Sequence, residues 1–122
     1  LNGKKILNYQ NGKPALVATL LNGQEDGEWL EYYSNGQMSV QAIFRNGKRN
    51  GAYKEFYTNG QASINGAFIM DEKDGMWKEY YPSGSMKIEG TYVMGIRNGK
   101  WSEWYENGVQ YYSVMYSNGK EN

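Results

Sequence analysis

Four glutamates recur at a fixed spacing and are the first candidates for chemistry. They are Glu31, Glu55, Glu79 and Glu103, each 24 residues after the one before. Carboxylates serve as the acid and base of glycosidases and as ligands of Ca²⁺. If the repeats form successive hairpins, neighbouring glutamates lie two strands apart, about 10 Å. This distance is too long for two carboxylates that share one ion. It also slightly exceeds the separation between the two catalytic carboxyl groups of inverting glycosidases. We therefore expect each carboxylate to accept hydrogen bonds from Tyr or Trp groups of adjacent hairpins.

A second recurring set is aromatic and suits binding rather than catalysis. Its members are Trp29, Tyr53, Trp77 and Trp101, each followed four residues later by Tyr33, Tyr57, Tyr81 or Tyr105. Tyr and Trp are frequent anchors of protein interfaces, because they combine a large apolar surface with a polar group. The first interpretation of these rings is packing. The functional hypothesis is that they and the four glutamates line a groove for an extended peptide or helix of a partner protein.

Other catalytic and metal chemistries lack the residues that they require. The chain has no Cys and no His, which removes the usual nucleophile–base pairs and zinc sites. The segment Met70-Asp71-Glu72-Lys73-Asp74-Gly75 looks like part of a calcium loop, but it lacks the ligand spacing and the closing Glu. We interpret it as a turn. We expect no enzymatic activity, no metal and no cofactor.

Charge and composition restrict the class of partner. The 13 basic residues are balanced by 13 acidic ones, whereas nucleic acid and anionic membranes attract basic patches. Leu, Ile, Val and Phe together number only 20 of 122 residues, but 12 Tyr and 4 Trp supply further apolar surface. We expect no nucleic-acid partner, and membrane association is disfavoured.

The elements that position these side chains are predicted by internal repetition. The segments GEWLEYYSNG, GAYKEFYTNG, GMWKEYYPSG and GKWSEWYENG begin at Gly27, Gly51, Gly75 and Gly99, 24 residues apart. Such a period is typical of a repeat architecture. One repeat domain over residues 1–122 then divides into five units: 3–26, 27–50, 51–74, 75–98 and 99–122.

Each unit is predicted to form a β-hairpin. Eleven of the 16 glycines follow Asn, and Asn-Gly favours tight primed turns because both residues tolerate positive φ. A two-residue turn at 35–36 pairs Tyr33 with Met38, Glu31 with Val40, Trp29 with Ala42 and Gly27 with Phe44. Bulky rings thus meet small partners. The segment 45–50 is predicted to be a polar loop between hairpins.

The predicted fold is all-β: an elongated, twisted, single-layer antiparallel meander of five hairpins, about ten strands. No helix or second sheet is left over to cover the aromatic side, so we expect part of it to stay exposed and to mark an interaction site. The first unit departs from the pattern at Lys5, Leu7 and Asn8 and contains Pro14, which is compatible with a cap on the terminal edge.

The sequence resembles the MORN repeat family, in the variant common in bacterial proteins. The resemblance is carried by GEWLEYYSNGQ, GAYKEFYTNGQ, GMWKEYYPSGS and GKWSEWYENGV, each followed by a segment like Asn-Gly-Lys. It implies hairpins with an aromatic-lined groove, to which Trp29, Tyr53, Trp77 and Trp101 correspond and Lys5 does not. It also implies a protein-binding scaffold, antitoxin-like or exported, with lipid binding claimed for some members. On this basis an exported or cell-envelope location is slightly favoured.

Two other kinds of partner remain open. Gly-x-Trp-x-x-Tyr-Tyr hairpins look superficially like choline- and glucan-binding repeats, so a carbohydrate- or cell-wall-binding module is the alternative function. A homodimer that buries the aromatic side of one chain against another is a structural alternative.

Overall fold

The chain forms a single antiparallel sheet in which strands follow one another in sequence order. The computed structural model describes residues 2–122. Its strands are β1 (Gly3–Asn8), β2 (Pro14–Leu21), β3 (Gln24–Tyr32), β4 (Met38–Arg45), β5 (Lys48–Phe56), β6 (Ala62–Ile69), β7 (Glu72–Lys73), β8 (Gly75–Tyr80), β9 (Met86–Val93), β10 (Ile96–Trp104), β11 (Gln110–Ser117) and β12 (Lys120–Glu121). The two-residue β7 and the following β8 both pair with β6.

The predicted all-β meander is confirmed. The strand order runs from β1 to β12 as an open sheet, and residues 2–122 contain no helix. The described part of the chain accordingly has no helix that is long and apolar enough to cross a membrane.

The predicted register holds along most of each hairpin and fails next to the turn. Gly27 pairs with Phe44, Trp29 with Ala42 and Glu31 with Val40, as expected. A bulge then follows Glu31, so that Tyr32 rather than Tyr33 lies opposite Met38. The predicted Tyr33–Met38 pair is therefore wrong. The same shift occurs at the equivalent place in the other hairpins.

The cause of the shift is the turn within each hairpin. Only Gly36 has positive φ there, at 92°, so Asn35-Gly36 does not form the predicted primed turn. The Gly36 N–H donates to the Tyr33 carbonyl at 3.0 Å, and the Tyr33 N–H donates to the Gln37 carbonyl at 2.7 Å. The Asn35 side chain accepts from the Gln37 N–H at 2.8 Å. Asn is used here for its side-chain oxygen, as in Asx turns.

Two-residue primed turns occur instead between the hairpins. Asn46 and Gly47 have φ values of 52° and 80°, and Arg45 pairs with Lys48 across them. The predicted polar loop over 45–50 is therefore wrong, because β5 already begins at Lys48. Met70 and Asp71 form the equivalent turn with φ of 49° and 70°, so the calcium-loop-like segment begins as a plain turn.

The core lies on one face of the sheet and consists of rings packed on small residues. Its buried members are Leu16, Ala18, Ala42, Phe68, Trp77 and Trp101. Ala18 pairs with Trp29 of the next hairpin, and Ala42 pairs with Tyr53. A Cβ added to Gly66 would lie 2.2 Å from Trp77 Cε3, and one added to Gly90 would lie 2.0 Å from Trp101 Cδ2. The small residue of each hairpin thus supports the ring of the next.

Candidate functional site

The predicted site residues within the strands lie on the face that holds the core, and the rings on this face form two separate groups. Strand alternation places positions two residues apart on the same face. We call the larger group the aromatic ladder; successive rings are 4.9 to 6.4 Å apart in the order Tyr53, Phe68, Trp77, Tyr92, Trp101 and Tyr116. Trp29 and Phe44 form a second group, 4.9 Å apart. Within residues 2–122, no ring–ring contact joins this pair to Tyr53.

Three basic side chains lie on the ladder. The guanidinium of Arg49 is 4.1 Å from the Phe68 centroid, and that of Arg97 is 4.4 Å from Trp101 and 5.5 Å from Tyr116. The ammonium of Lys73 is 4.5 Å from Trp77 and 5.2 Å from Tyr92. Such cation–π contacts contribute about 0.5–1 kcal/mol at exposed sites and about 2 kcal/mol when desolvated. Their aliphatic stems also cover ring surface.

Three of the six ladder rings, Phe68, Trp77 and Trp101, are consequently buried without a second layer. Trp77 and Trp101 are each only 3% exposed. Part of the aromatic side is expected to stay exposed, and these two rings belong to the part that is covered. Neighbouring rings and basic side chains of the same sheet cover them. The absence of a second sheet or helix in the predicted fold therefore does not imply that these rings are exposed.

The glutamates accept hydrogen bonds from aromatic groups, mostly of their own strand. Trp29 Nε1 donates to Glu31 Oε2 at 2.9 Å, and Trp77 Nε1 donates to Glu79 Oε2 at 3.1 Å. The Tyr53 hydroxyl donates to Glu55. The predicted donors in adjacent hairpins are therefore wrong for these three, because ring and carboxylate are two residues apart on one face.

The last member of the column differs from the other three. Glu103 accepts a hydrogen bond from the Tyr111 hydroxyl on the paired strand at 2.7 Å. The Trp101 indole instead donates to the Thr91 carbonyl at 3.1 Å. The four carboxylates thus all hold aromatic polar groups, which is a structural use of their charge.

Contacts with the glutamates raise the pKa of two tyrosine hydroxyls. Burial, together with the hydrogen bond to Glu55, raises the pKa of Tyr53 well above its usual range. The bond to Glu103 raises the pKa of Tyr111 to about 12. Both tyrosines therefore stay neutral donors near pH 7. Within residues 2–122, no three Asp or Glu side chains lie close enough to hold a metal ion.

The second predicted set of tyrosines joins successive hairpins. The hydroxyls of Tyr33, Tyr57 and Tyr81 donate to the carbonyls of Phe56, Tyr80 and Trp104, at 2.5, 2.6 and 2.7 Å. Each acceptor lies 23 residues after its donor. Tyr105 is 54% exposed, and its ring lies 4.4 Å from Tyr111. Tyr33, Tyr57 and Tyr81 therefore have a structural role, because each holds its own hairpin to the next one.

A cleft opens where the ring contacts are interrupted. We call it the Trp29 cleft; its volume is about 280 Å³, and it is lined by Trp29, Glu31, Val40, Ala42, Phe44, Arg49 and Tyr53. Trp29, Phe44 and Tyr53 are half-buried, unlike Trp77 and Trp101. The Trp29 cleft therefore offers ring surface that a partner can reach. It brings together three of the predicted site residues: Trp29, Tyr53 and Glu31.

The residues that sequence reasoning missed are the basic ones. Arg49, Lys73 and Arg97 are spaced by the same 24 residues as the rings. This periodicity is a usable signal, but the predicted loop over 45–50 hides it by placing Arg49 outside the strands. The strand register places Arg49 opposite Phe44 and Arg97 opposite Tyr92, on the aromatic face.

An open sheet of successive hairpins joined by equivalent contacts defines a β-hairpin repeat protein. The profile of the MORN repeat variant matches residues 25–46, 49–61, 73–94 and 97–118, more than half of the chain. The protein belongs to the MORN repeat family. Repeats of this family indicate a binding scaffold, and MORN repeat proteins are generally non-catalytic. No curated protein sequence matches the chain significantly.

Proposed function

We propose that the protein is a non-catalytic scaffold that binds a partner protein along its aromatic face. The observation that carries this proposal is the Trp29 cleft, an opening bordered by the half-buried rings of Trp29, Phe44 and Tyr53. A cleft of about 280 Å³ has room for one side chain of a protein, inserted as an anchor.

The charges on this face support an extended partner segment. Glu31, Glu55, Glu79 and Glu103 form one row on successive hairpins, and Arg49, Lys73 and Arg97 form another. Rows of opposite charge beside a binding surface give an extended segment a preferred direction and position.

The predicted binding residues divide into two roles under this proposal. Trp29 and Tyr53 contact the partner, and Glu31 orients the Trp29 indole by accepting its hydrogen bond. Trp77 and Trp101 are buried beneath Lys73 and Arg97 and support the sheet. The family resemblance favours a partner of the antitoxin or immunity type, or a component of a surface assembly.

The test is a comparison of captured proteins, with immobilised chain exposed to a cell extract. Trp29→Ala removes the wall of the cleft, whereas Trp104→Ala removes a Trp that lines a different hollow with Lys100 and Ser102. We expect a captured protein that is lost with Trp29→Ala and retained with Trp104→Ala. Retention by both variants would contradict the proposal, provided that circular dichroism shows both to be folded.

Carbohydrate binding is the alternative function, and a separate experiment tests it. Trp77 and Trp101 expose only 3% of their surface, which leaves little indole area for stacking on a sugar. Titration of tryptophan fluorescence with choline, glucans and peptidoglycan fragments checks this directly. Quenching by glucans or peptidoglycan fragments at millimolar concentration would favour the carbohydrate function, and light scattering detects a homodimer.

A further inference from the structure

One register position carries a cation in three places and an acid in two, Glu25 and Glu121. Arg49 lies opposite Phe44, Lys73 opposite Phe68 and Arg97 opposite Tyr92, where each residue begins the approach to the next hairpin. The residue opposite Leu20 at the corresponding place is Glu25. The repeat thus has an acidic residue four positions before Trp29, where it has a basic residue four positions before Tyr53, Trp77 and Trp101.

The consequence is a pair of rings that lacks its cation. Lys73 lies over both rings of the following hairpin, and Arg97 does the same in the hairpin after that. No Lys or Arg among residues 2–122 lies over Trp29 or Phe44 in this way. These two rings are half-buried and border the Trp29 cleft.

The charges around the Trp29 cleft favour a cation from outside. Glu31 lines the cleft and accepts the Trp29 indole N–H at 2.9 Å. Glu25 does not line the cleft, but it places a negative charge four residues before Trp29, where the following repeats have a positive one. Arg49 also lines the cleft, but its guanidinium lies over Phe68 and pairs with Asp71 at 3.1 Å. Rings beside carboxylates attract ammonium and guanidinium groups.

We propose that the Trp29 cleft binds a lysine or arginine side chain of the partner protein. The partner then supplies in trans the contact that Lys73 and Arg97 make within the chain. This inference rests on the proposed function and adds the chemistry of the anchor. A neutral side chain of the same shape leaves the carboxylates without a counter-charge and binds less well.

A peptide titration observed by NMR tests the chemistry. The probe is a short glycine-rich peptide with one central arginine, compared with the same peptide carrying neutral citrulline. The indole N–H signals of Trp29, Trp77 and Trp101 are followed in ¹⁵N-labelled protein, with Trp29→Phe used for assignment. We expect the arginine peptide to shift the Trp29 signal selectively and to bind at least about tenfold more tightly than the citrulline peptide. Equal binding of the two peptides, or no shift at Trp29, would overturn the proposal.

A substitution that restores the repeat gives an independent test. In Glu25→Arg the chain acquires its own cation over Trp29 and Phe44, so we expect peptide and partner binding to fall by about tenfold or more. Glu121→Arg is the matched control, because Glu121 occupies the same position opposite Tyr116 and is remote in the strand order from the cleft. It should leave binding unchanged.

The two proposals fail in different ways. If Trp29→Ala abolishes partner capture while Glu25→Arg does not, the aromatic face binds the partner and the cationic anchor is wrong. If neither variant changes capture, the proposed function itself is wrong.

Discussion

Gly90→Ala tests whether the rings lie directly on the glycines beneath them. The backbone of Gly90 does not have positive φ, so only the surroundings oppose a methyl group. An added Cβ would meet Trp101 Cδ2 at 2.0 Å and Cε2 at 2.2 Å, distances that real Cβ atoms do not show. Trp101 must therefore move, and it is buried against Tyr92 and Tyr116.

The expected cost has three contributions. Overpacking of a core costs about 1–3 kcal/mol. Movement of the indole also loses its 3.1 Å hydrogen bond to the Thr91 carbonyl, about 0.5–1.5 kcal/mol. Replacement of Gly by Ala offsets about 0.4–1 kcal/mol of this loss, because it reduces the conformational entropy of the unfolded chain. The net loss is about 2 kcal/mol.

The assay is urea unfolding followed by tryptophan fluorescence. With a slope of about 1–3 kcal/mol per molar urea, the midpoint of Gly90→Ala should fall by about 1 M. In a Trp101→Leu background the same Gly90→Ala change should be nearly neutral, because the ring is gone. An unchanged midpoint, or an equal loss in both backgrounds, would refute the ring-on-glycine packing.

Three further predictions concern turns, titration and the links between hairpins. Met94→Asn should raise stability by about 0.5–1 kcal/mol in thermal melts, because Met94 has φ of 50° and Asn tolerates that conformation better; a lower melting temperature would contradict it. Hydrogen bonds from Arg49, first from its backbone N–H and second from its side chain, lower the pKa of Asp71. The ionised Asp71 carboxylate therefore stabilises the fold above pH ~4, and this contribution is lost as the pH falls through the lowered pKa. The stability difference between the wild type and Asp71→Asn should therefore shrink below pH ~4; growth of that difference in acid would be the opposite result. Tyr57→Phe removes a 2.6 Å bond to the next hairpin and should cost about 1 kcal/mol, whereas Tyr105→Phe, at a 54% exposed ring, should change stability by less than about 0.5 kcal/mol; equal losses would argue against the linking role.

The strand pairing was predictable because, in each repeat, large rings on one strand match small residues on the other. Trp29 with Ala42, and Gly27 with Phe44, follow from one register, and both pairs are confirmed. The sequence places the primed turn within each hairpin, whereas the structure has it between hairpins, because Asn-Gly suits both kinds of turn. Asn46 adopts positive φ, whereas Asn35 uses its side chain to accept a hydrogen bond. Composition alone does not separate these roles.

The burial of the site was harder to predict, because the cover comes from within the sheet. Lys73 and Arg97 lie over the rings of the following hairpin, which requires the register of two hairpins at once. The sequence therefore identified the aromatic face but not the place where it is uncovered. The division into five 24-residue units stays a prediction, as do the compartment and the identity of the partner.

Photo-crosslinking from the Trp29 cleft tests the central claim most directly. A diazirine-bearing aliphatic amino acid replaces Val40, which lines the cleft, and in a second protein it replaces the exposed Lys54, which lines a hollow with Glu28 and Gln41. If the partner binds the aromatic face, irradiation of the captured complex gives an adduct from position 40 and little from position 54. An adduct from position 54 alone would contradict the account.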